Sequence, residues 1–534
     1  RFATFDLAEI QVAKGFSSVA FGPNTLGGAI NLITKKPSKK FEGNAILGTA
    51  DGDGKTAAVN IGSSMDKFYI QAGGSLRDSG NFRMSTNFIP TPSAEGGWRS
   101  NSDFKDSKFS AKIGFAPDSS GEYVIGYMLQ KGQKGQPVAT EGSRSSQFWR
   151  WPTWDKDDIY FLSHNNIGAD TYLKVRAYYD TFKNIIHMFT NATFSELRND
   201  GISIYDDYTN GAILEVGTTF FDNHSIRAIA QIKRDVHRSD DNSNNWKSYK
   251  DQLSSVGIED SIIVNNKLNL SLGIGLDIQK ALEIGEYARY GNFSHQFLQG
   301  QFGAFWKMNE KVHTYFTVSR KDRFPTLRDR FSLRFDRNIP NPELQPELST
   351  NYDIGAKAFL TSWLRIEGAV FYSGITDLIE EVVEVAVSED GRPLSQFQNV
   401  GKVKSQGVEL SFYIKPVSWF ENGIYYTYLH RENKSAPGIR LRGVPKNRIT
   451  GFTKIEPVKQ LNVIASLECQ DNVWDTNTGR LAGYTTANLT IGYMLAKDIQ
   501  IEGGFSNILD KNYQQTLGFP LPGRTWFVNA RCKF

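Results

Sequence analysis

The residues of this sequence that are best suited to chemistry are arginines and aromatic side chains crowded into one short stretch. They lie between positions 144 and 154 and comprise Arg144, Phe148, Trp149, Arg150, Trp151 and Trp154. A guanidinium group beside aromatic faces suits a planar, anionic and partly apolar ligand. The alternative interpretation is an aromatic girdle at a membrane surface. The stretch is therefore a candidate ligand-binding loop.

A second candidate loop runs from Arg320 to Arg337 and is strongly basic. Its seven basic residues face three acids, so it carries an excess of four positive charges, as much as the net charge of the whole chain. Such a region attracts anionic ligands. Pairing with lipopolysaccharide phosphates or with neighbouring acids is the alternative. The candidate binding residues of this loop are Arg323, Arg328, Arg330 and Arg334.

No catalytic constellation accompanies these groups. The sequence contains no Gly-x-Ser-x-Gly, Walker-type, His-Glu-x-x-His or Cys-x-x-Cys motif. The seven histidines show no spacing typical of metal ligands, and Cys469 and Cys532 lie in separate strand-like segments that predict no disulfide. The sequence therefore predicts a binding protein that is not an enzyme and has no cofactor or resident metal.

Composition restricts how such sites are positioned. The chain has 534 residues, 48 of them glycine and 13% aromatic, with a mean hydropathy of −0.40. No stretch approaches the roughly 18 consecutive apolar residues of a membrane helix, so any membrane crossing must use strands. With 61 basic and 57 acidic residues, the net charge of +4 is too balanced to indicate nucleic acid as a partner.

From Phe41 onward the sequence reads as short strands of alternating polarity. In Leu268 to Asp277, leucine and isoleucine point one way and small or polar residues the other. Tight turns such as Asn265 to Lys267 alternate with long polar segments such as Gly132 to Asp155 and Asn184 to Asn210. This segregation is typical of outer-membrane barrels, and the pattern predicts an all-β, antiparallel transmembrane barrel of about 22 strands.

The segment Glu9 to Pro37 is organised differently. Two strand-like runs, Glu9 to Ala13 and Ile30 to Thr34, flank a turn rich in glycine. The segment resembles the second half of the plug domain of TonB-dependent outer-membrane receptors. The matching positions are Glu9, Val12, Lys14, Gly15, Phe21, Gly22, Gly27, Gly28, Ile30, Asn31, Thr34 and Lys35, while Lys14, Phe16 and Phe21 depart from the commonest residues.

Late motifs extend the resemblance to the end of the chain. They are RFPTL from Arg323, NPELQPE from Asn341, NYDIG from Asn351, NVGKVKSQGVE from Asn399, NILDKNY from Asn507 and PGR from Pro522. A strand that ends on Phe534 also resembles the signal read by the outer-membrane assembly machinery. The resemblance implies part of a plug domain in residues 1–39 and a barrel in residues 40–534, with the front of the plug expected to be missing from this sequence.

The resemblance also implies a mechanical contact between plug and barrel. In the family, basic plug residues are held by acids on the inner barrel wall, and Lys14, Asp353 and Glu409 occupy matching positions. Because an unpaired buried charge is costly, we expect Lys14 to pair with Asp353 or Glu409. Glu9 is assigned to the same plug–barrel lock.

The function implied is a monomeric receptor in the bacterial outer membrane that imports a ferric siderophore. Its partners would be the TonB–ExbB–ExbD complex, reached through a TonB box that is not in this sequence, together with outer-membrane lipid and lipopolysaccharide. Haem is disfavoured as a ligand because no histidine lies between Pro325 and Asn341. Haem, cobalamin, another metal chelate and a glycan stay open. A non-transporting adhesin or structural barrel and a soluble glycan-binding β hydrolase are the alternatives from other classes.

Overall fold

Twenty-two antiparallel strands close into a barrel in the computed structural model of this chain. The structure describes residues 4–141, 147–240, 245–290, 293–333, 337–389, 391, 393–475 and 479–534. The last strand pairs with the first barrel strand, with Phe527 opposite Ala50 and Lys533 opposite Asn44, so the sheet has no free edge. The predicted all-β fold and the predicted number of strands are both confirmed.

Strands β1 (Leu7–Lys14) and β2 (Gly28–Thr34) form a separate two-stranded sheet, with a 3₁₀ helix (Val19–Phe21) between them. The remaining strands are β3 (Glu42–Ala50), β4 (Gly54–Ser64), β5 (Phe68–Ser79), β6 (Phe104–Asp118), β7 (Gly121–Gln136), β8 (Trp149–Ile167), β9 (Thr171–Phe189), β10 (Leu197–Thr218), β11 (His224–Asp240), β12 (Lys247–Asn265), β13 (Leu268–Glu283), β14 (Ser294–Lys307), β15 (Val312–Arg323), β16 (Asn338–Ile339), β17 (Glu347–Phe359), β18 (Leu364–Thr376), β19 (Ile379–Val387), β20 (Pro393–Asn399), β21 (Val403–Val417), β22 (Phe420–Asn433), β23 (Asn447–Val458), β24 (Leu461–Gln470), β25 (Val473–Trp474), β26 (Arg480–Leu481), β27 (Tyr484–Ala496), β28 (Ile499–Ser506) and β29 (Thr525–Lys533).

The alternation of side chains along the barrel strands follows the sequence pattern. On β13, Leu272 and Ile274 are exposed on the outer face, whereas Ser271 and Asp277 are buried on the inner face. Short turns such as 266–267 join strands at one rim, and long connections such as 80–103 and 324–346 lie at the other. The inner face is therefore a polar lumen, and the long loops gather at one mouth of the barrel.

The strands around β8 are longer than the sequence pattern predicted. Strand β8 begins at Trp149, β9 continues to Phe189 and β10 begins at Leu197, so the connection between β9 and β10 is only 190–196. Trp149 pairs with Met188, and the sheet continues there because large apolar side chains pack across it. The expectation of a loop from Trp149 to Trp154 was therefore wrong, since these residues lie on a strand.

Small helices and sheets form within the long connections between barrel strands. Strands β16, β20 and β19 form a three-stranded sheet, and β25 pairs with β26. Helix α1 (Leu327–Phe331) begins with a capping box, in which the Thr326 hydroxyl accepts from the Asp329 amide at 3.1 Å and the Asp329 carboxylate accepts from the Thr326 amide at 3.0 Å. A second 3₁₀ helix spans Gly285–Tyr290. Among the described residues, no helix is both long and apolar enough to cross a bilayer.

Candidate functional site

The N-terminal segment (residues 4–39) contains a glycine, Gly28, at which no side chain fits. Gly28 pairs with Lys14 and has φ = 130°, and a Cβ there would lie 2.0 Å from the Ala13 carbonyl oxygen. Gly15 and Gly22 also adopt positive φ, at 62° and 71°. Gly27 has no atom within 4 Å of an added Cβ. Of the paired glycines, Gly28 is the one that the hairpin requires.

The N-terminal segment has a tip, residues 17–26, which is packed against strands β12 and β13. The Val19 side chain is completely buried, and Cβ atoms added at Gly257 and Gly273 would lie 3.5 and 3.1 Å from it. The wall is tight against Val19 at Gly273, whereas a Cβ at Gly257 would make only an ordinary contact. Nearby, the Glu259 carboxylate accepts hydrogen bonds from Ser18 at 2.6 Å and from Arg227 at 2.7 Å. This set joins the segment to β11 and β12.

Two further motif residues serve the hairpin and its wall contact. The Asn31 side chain donates to Gln11 at 3.1 Å across the two strands. The Thr34 hydroxyl accepts from the Lys112 ammonium group on β6 at 2.8 Å. Asn31 therefore stabilises the hairpin itself, whereas Thr34 ties its end to the barrel.

Of the lock residues assigned from the sequence, the structure brings Lys14 and Glu409 together. Their Nζ and Oε2 atoms are 3.5 Å apart, and the two side chains are 73% and 36% exposed. Asp353 packs against the backbone of Gly15, 3.1 Å from where a Cβ would be. Glu9 is exposed and accepts a bond from Gln11 at 3.0 Å within the hairpin. Glu9 thus makes a local contact rather than a contact with the wall.

Sequence reasoning missed a more deeply buried ion pair. The Lys108 ammonium group on β6 lies 3.0 and 2.9 Å from the two carboxylate oxygens of Asp6, and both side chains are almost fully buried. Ser110 donates to the same carboxylate at 3.3 Å. Asp6 lies 102 positions before Lys108 and outside the family motif, so no local spacing could have indicated this pair.

A cavity of about 550 Å³ opens above the tip of the N-terminal segment. Asn24 contributes from the tip, helix α1 contributes Leu327, Arg328 and Phe331, and the wall is formed by the ends of β10, β11 and β12. The cavity therefore lies where the long loops, the tip and the lumen meet. This location and size suit a small ligand.

Aromatic rings form one continuous side of the cavity. The rings of Tyr249 and Phe331 are stacked, with centroids 4.8 Å apart, and the His237 ring is also stacked with Tyr249 at 6.2 Å. Tyr205 meets His237 edge-on at 5.0 Å. The Nδ1 atom of His237 lies 2.8 Å from the Asp207 carboxylate, which fixes the orientation of the imidazole ring. These largely buried rings give the cavity an apolar wall, against which the flat part of a ligand can pack.

The charged groups of the cavity are mostly paired. Lys233 lies 2.9 Å from Asp235, and Lys247 lies 3.6 Å from Glu286. Arg328 is exposed, and its guanidinium group makes no ion pair with any residue that the structure describes. Arg328 is therefore the cation of this cavity that can meet an anionic ligand without breaking an ion pair.

Two other predicted arginines are occupied in structural contacts. Arg323 holds Glu347 through two bonds of 2.7 and 2.9 Å and also contacts Asp329 at 3.1 Å. Arg330 is fully buried, pairs with Asp251 on β12 and lies over the ring of Phe331. These arginines position helix α1 on the wall and do not face the cavity with a free guanidinium group. Arg144 and Arg334 lie outside the described residues.

The aromatic residues predicted as a binding loop pack against one another. Trp151 is buried with Ile186 and Met188, and Trp149 and Trp154 cover this cluster. The Lys134 ammonium group lies 3.8 Å from the Trp154 ring centroid. These contacts form a rigid wall on β8 and β9, away from the cavity at α1.

The two remaining members of that predicted loop also have partners. Arg150 is paired with Asp103 at 2.6 Å and donates to Asn101 at 2.6 Å. Phe148 meets Phe194 edge-on at 6.3 Å. Both contacts fasten the start of β8 to neighbouring loops, and the role of these two side chains in ligand binding stays a prediction.

The last long loop, residues 507–524, precedes β29 and is bonded to the loop of residues 80–103. Asp510 accepts bonds from the Thr86 hydroxyl at 2.5 Å and from the Arg524 amide at 2.8 Å. Although burial opposes ionisation, these hydrogen bonds hold the pKa of the Asp510 carboxyl group below its ordinary value. The NILDKNY and PGR motifs therefore meet at one carboxylate that fastens loop 507–524 to loop 80–103.

The cavity residues Tyr205, Asp207, His237 and Tyr249 were not predicted as site residues. The available signal was the inward alternation along β11 and β12, which places a histidine and a tyrosine in a polar lumen. No group of three or more His, Cys, Asp or Glu residues among the described positions is arranged to hold a metal ion.

Comparison with known proteins agrees with this architecture. Residues 56–508 match the family described as "TonB dependent receptor-like, beta-barrel". The chain is 21% identical over 581 residues to the iron-regulated outer membrane virulence protein of Vibrio cholerae serotype O1, covering 99% of this chain and 80% of the relative. It is 20% identical to the ferric enterobactin receptor PirA of Pseudomonas aeruginosa, covering 99% and 79%.

A solved structure of the copper transporter OprC superposes with a TM-score of 0.84 at 15% identity, covering 98% of this chain and 85% of that one. At this identity the likeness describes the fold alone. The family match covers most of the chain, and the closed barrel is the architecture that such proteins place in the outer membrane of Gram-negative bacteria. The chain belongs to the TonB-dependent receptor family and is an outer-membrane β-barrel of that family.

Proposed function

We propose that this receptor binds a ferric siderophore in the cavity at helix α1 and admits it to the periplasm. The observation that carries the proposal is a cavity lined both by aromatic rings and by Arg328, whose guanidinium group makes no ion pair with any described residue; the tip residue Asn24 lines the same cavity. Ferric chelates of catecholate or hydroxamate type are flat at their donor groups and commonly anionic. Stacking and a charge-assisted hydrogen bond are the contacts that recognise such groups.

Energy for transport would come from the proton-motive force, relayed by TonB with ExbB and ExbD. TonB interaction and ligand binding are properties of the family to which the chain belongs. We extend them to this chain as a monomer surrounded by outer-membrane lipid and lipopolysaccharide, with no cofactor and no nucleic-acid partner. The ion pair between Lys14 and Glu409 would then be one of the contacts that yields when the N-terminal segment is pulled.

A haem receptor is the second candidate, and His237 favours it. The imidazole is oriented by Asp207 and lies on the cavity wall, although it is distant in sequence from the region between Pro325 and Asn341 where a family histidine was sought. When Nδ1 is held by a carboxylate, Nε2 is the nitrogen left to face a ligand. Haem is also planar and anionic, so ring stacking alone does not separate the two ligands.

Calorimetric titration of the detergent-purified chain tests both candidates. The panel contains a ferric catecholate, a ferric hydroxamate, ferric citrate, haem and cobalamin. We expect saturable binding of one ferric chelate, and we expect Arg328→Gln to weaken it about 10- to 100-fold, which is the usual effect of one hydrogen bond to a charged group. The matched control is Arg234→Gln, which removes the same charge from an exposed position on β11.

The outcomes separate the hypotheses. Binding of haem that is lost in His237→Ala and retained in Arg328→Gln would replace the siderophore with haem. Equal affinity of a ferric chelate for the wild type and Arg328→Gln would exclude the cavity at α1 as its site. Absence of binding to any member of the panel would contradict a chelate receptor of either kind.

A further inference from the structure

Two buried carboxyl groups meet on the lumen side of the wall below the cavity. Asp277 on β13 is 0% exposed and Asp322 on β15 is 1% exposed, and their carboxyl groups contact each other. None of their four oxygen atoms has a well-formed hydrogen bond from a described residue. Buried polar atoms in folded proteins are rarely left in this state, so each of these oxygens requires an explanation.

The neighbouring groups do not neutralise the pair fully. Lys321 is completely buried nearby, but its ammonium group donates to the Gln299 side chain at 2.9 Å. The Ser255 hydroxyl and the Gln299 amide are close enough to Asp277 to donate to it, although outside the geometry of a well-formed hydrogen bond. Further charged or titratable groups of the described wall near the pair include Glu259 and Asp251 on β12, His295 on β14, Asp235 and Arg227 on β11, Arg323 on β15 and Arg330 on α1.

Most of these outer charges already have partners. Glu259 pairs with Arg227, and Asp251 pairs with Arg330. The local balance at the two aspartates is therefore set by two carboxyl groups and one ammonium group, Lys321. One added positive charge makes this set neutral, which a proton supplies without further ligands.

The pair lies beside the contact that holds the tip of the N-terminal segment. The Asn24 amide donates to the Asp322 carbonyl oxygen at 3.1 Å, and the Phe324 amide donates to the Asn24 side-chain oxygen at 3.0 Å. Asp322 thus contributes its side chain to the carboxyl pair and its backbone to the hydrogen bonds that hold the tip. A movement of Asp322 therefore alters the hydrogen bonds to Asn24.

We propose that Asp277 and Asp322 form a proton-binding site in which the two carboxyl groups share a single proton. Two carboxylates in contact and away from water repel each other too strongly to be ionised together, whereas one proton converts the repulsion into a hydrogen bond. Loss of that proton to solvent leaves two adjacent carboxylates. Their repulsion displaces Asp322 and weakens its hold on Asn24.

Infrared spectroscopy of the purified chain tests the shared proton. A protonated carboxyl group gives a C=O stretch distinct from that of a carboxylate, and the band moves when the exchangeable hydrogen is replaced by deuterium. We expect such a band in the wild type at pH 7 and its loss in both Asp277→Asn and Asp322→Asn, because either substitution leaves one carboxylate beside Lys321. The matched control, Asp200→Asn, removes an exposed carboxylate paired with Arg198 at 3.2 Å and should leave the band unchanged.

Three results would overturn the proposal. Persistence of the band in both variants shows that it arises elsewhere, and its loss in only one shows that the proton belongs to a single carboxyl group. A wild type without the band, whose tip is ordered by added sodium, potassium or calcium, would assign the pair to a metal cation. Should both variants fail to assemble, the wild type decides alone, through a carboxyl band at pH 7 that disappears as the pH rises.

Hydrogen exchange measures the consequence for the tip. Below the pH at which the shared proton is released, the fraction of molecules that have lost it rises about tenfold per pH unit. After correction for the intrinsic exchange rate of the amides, the opening of residues 17–26 should therefore increase by up to about tenfold per pH unit. We expect this slope in the wild type and its absence in Asp277→Asn. Equal slopes in the two proteins would show that the pair does not control the tip.

Discussion

Two ion pairs join the N-terminal segment to opposite parts of the barrel wall, and they differ in their access to water. Asp6 and Lys108 are 5% and 6% exposed, whereas Lys14 and Glu409 are 73% and 36% exposed. Asp6 is also bonded to Ser110, and the ring of Phe5 lies 5.6 Å from the Lys108 ammonium group. The buried pair depends on both partners being present, while either partner of the exposed pair can be hydrated alone.

The comparison separates a contact recognised by motif from a contact that carries most of the energy. Lys14 occupies a family position, yet water solvates most of its side chain. Asp6 lies just before the motif and is enclosed by the barrel. A lock that has to open is better served by an exposed pair, and an anchor that has to stay in place is better served by a buried one.

The largest expected effect is that of Lys108→Met, which keeps a long unbranched side chain and leaves the buried Asp6 carboxylate without its opposite charge. Breaking a buried pair in this way costs about 3–5 kcal/mol, which should appear as a loss of that size in the opening free energy of β1 and β2. Hydrogen exchange of the strand amides at neutral pH measures it. The matched control is Lys105→Met on the same strand, where the side chain is exposed and the change should be small.

Equal protection of the N-terminal segment in Lys108→Met and Lys105→Met would refute the anchoring role of the buried pair. If Lys108→Met does not assemble, Asp6→Asn tests the same contact. It retains a hydrogen-bond acceptor for Lys108 but removes the opposite charge, and it should lower the protection by a smaller amount in the same direction.

The barrel was predictable because each strand repeats one local rule. On β13, the polarity of Leu272, Ile274 and Asp277 alone assigns the outer and inner faces. The hairpin was predictable for a similar reason, since Gly28 serves a turn whose geometry is local. The sequence therefore predicted the elements and most of their connections.

The site was less predictable because it is assembled from distant strands. His237 acquires its surroundings from Asp207 and Tyr249, each on a different strand. Arg330 and Arg328 are two residues apart in one basic run, but one is buried against Asp251 and the other is exposed. Charge counted along the sequence cannot separate them, since the difference comes from which face of a short helix meets the wall.

An effect of intermediate size is expected from a substitution at the end of the hairpin that carries Lys14, far from the buried pair of Asp6 and Lys108. Gly28→Ala places a Cβ 2.0 Å from the Ala13 carbonyl oxygen at a backbone conformation with φ = 130°. We expect a loss of about 2–3 kcal/mol in local protection, because strain of this kind costs 1–3 kcal/mol and a backbone clash adds to it. Exchange should rise around Lys14, which pairs with Gly28, more than near Asp6.

Gly27→Ala is the matched control for this change, since an added Cβ there meets no atom within 4 Å. It should leave exchange almost unaltered. A uniform rise along the whole segment in Gly28→Ala would show that the two ends of the hairpin open together, and the two ion pairs would then not act as separate contacts.

The smallest effect is expected at the exposed pair. Lys14→Gln removes the charge that faces Glu409 across 3.5 Å, and an ion pair this accessible contributes about 0–1 kcal/mol. Exposed charges are screened within about 10 Å at 0.1 M ionic strength, so the wild type should lose this small contribution in high salt. The wild type and Lys14→Gln should then show the same protection of β1. The protection lost in Lys108→Met should persist at every salt concentration, since the buried pair is screened far less. A loss in Lys14→Gln as large as that in Lys108→Met would reverse the roles assigned to the two pairs and make the family position the anchor.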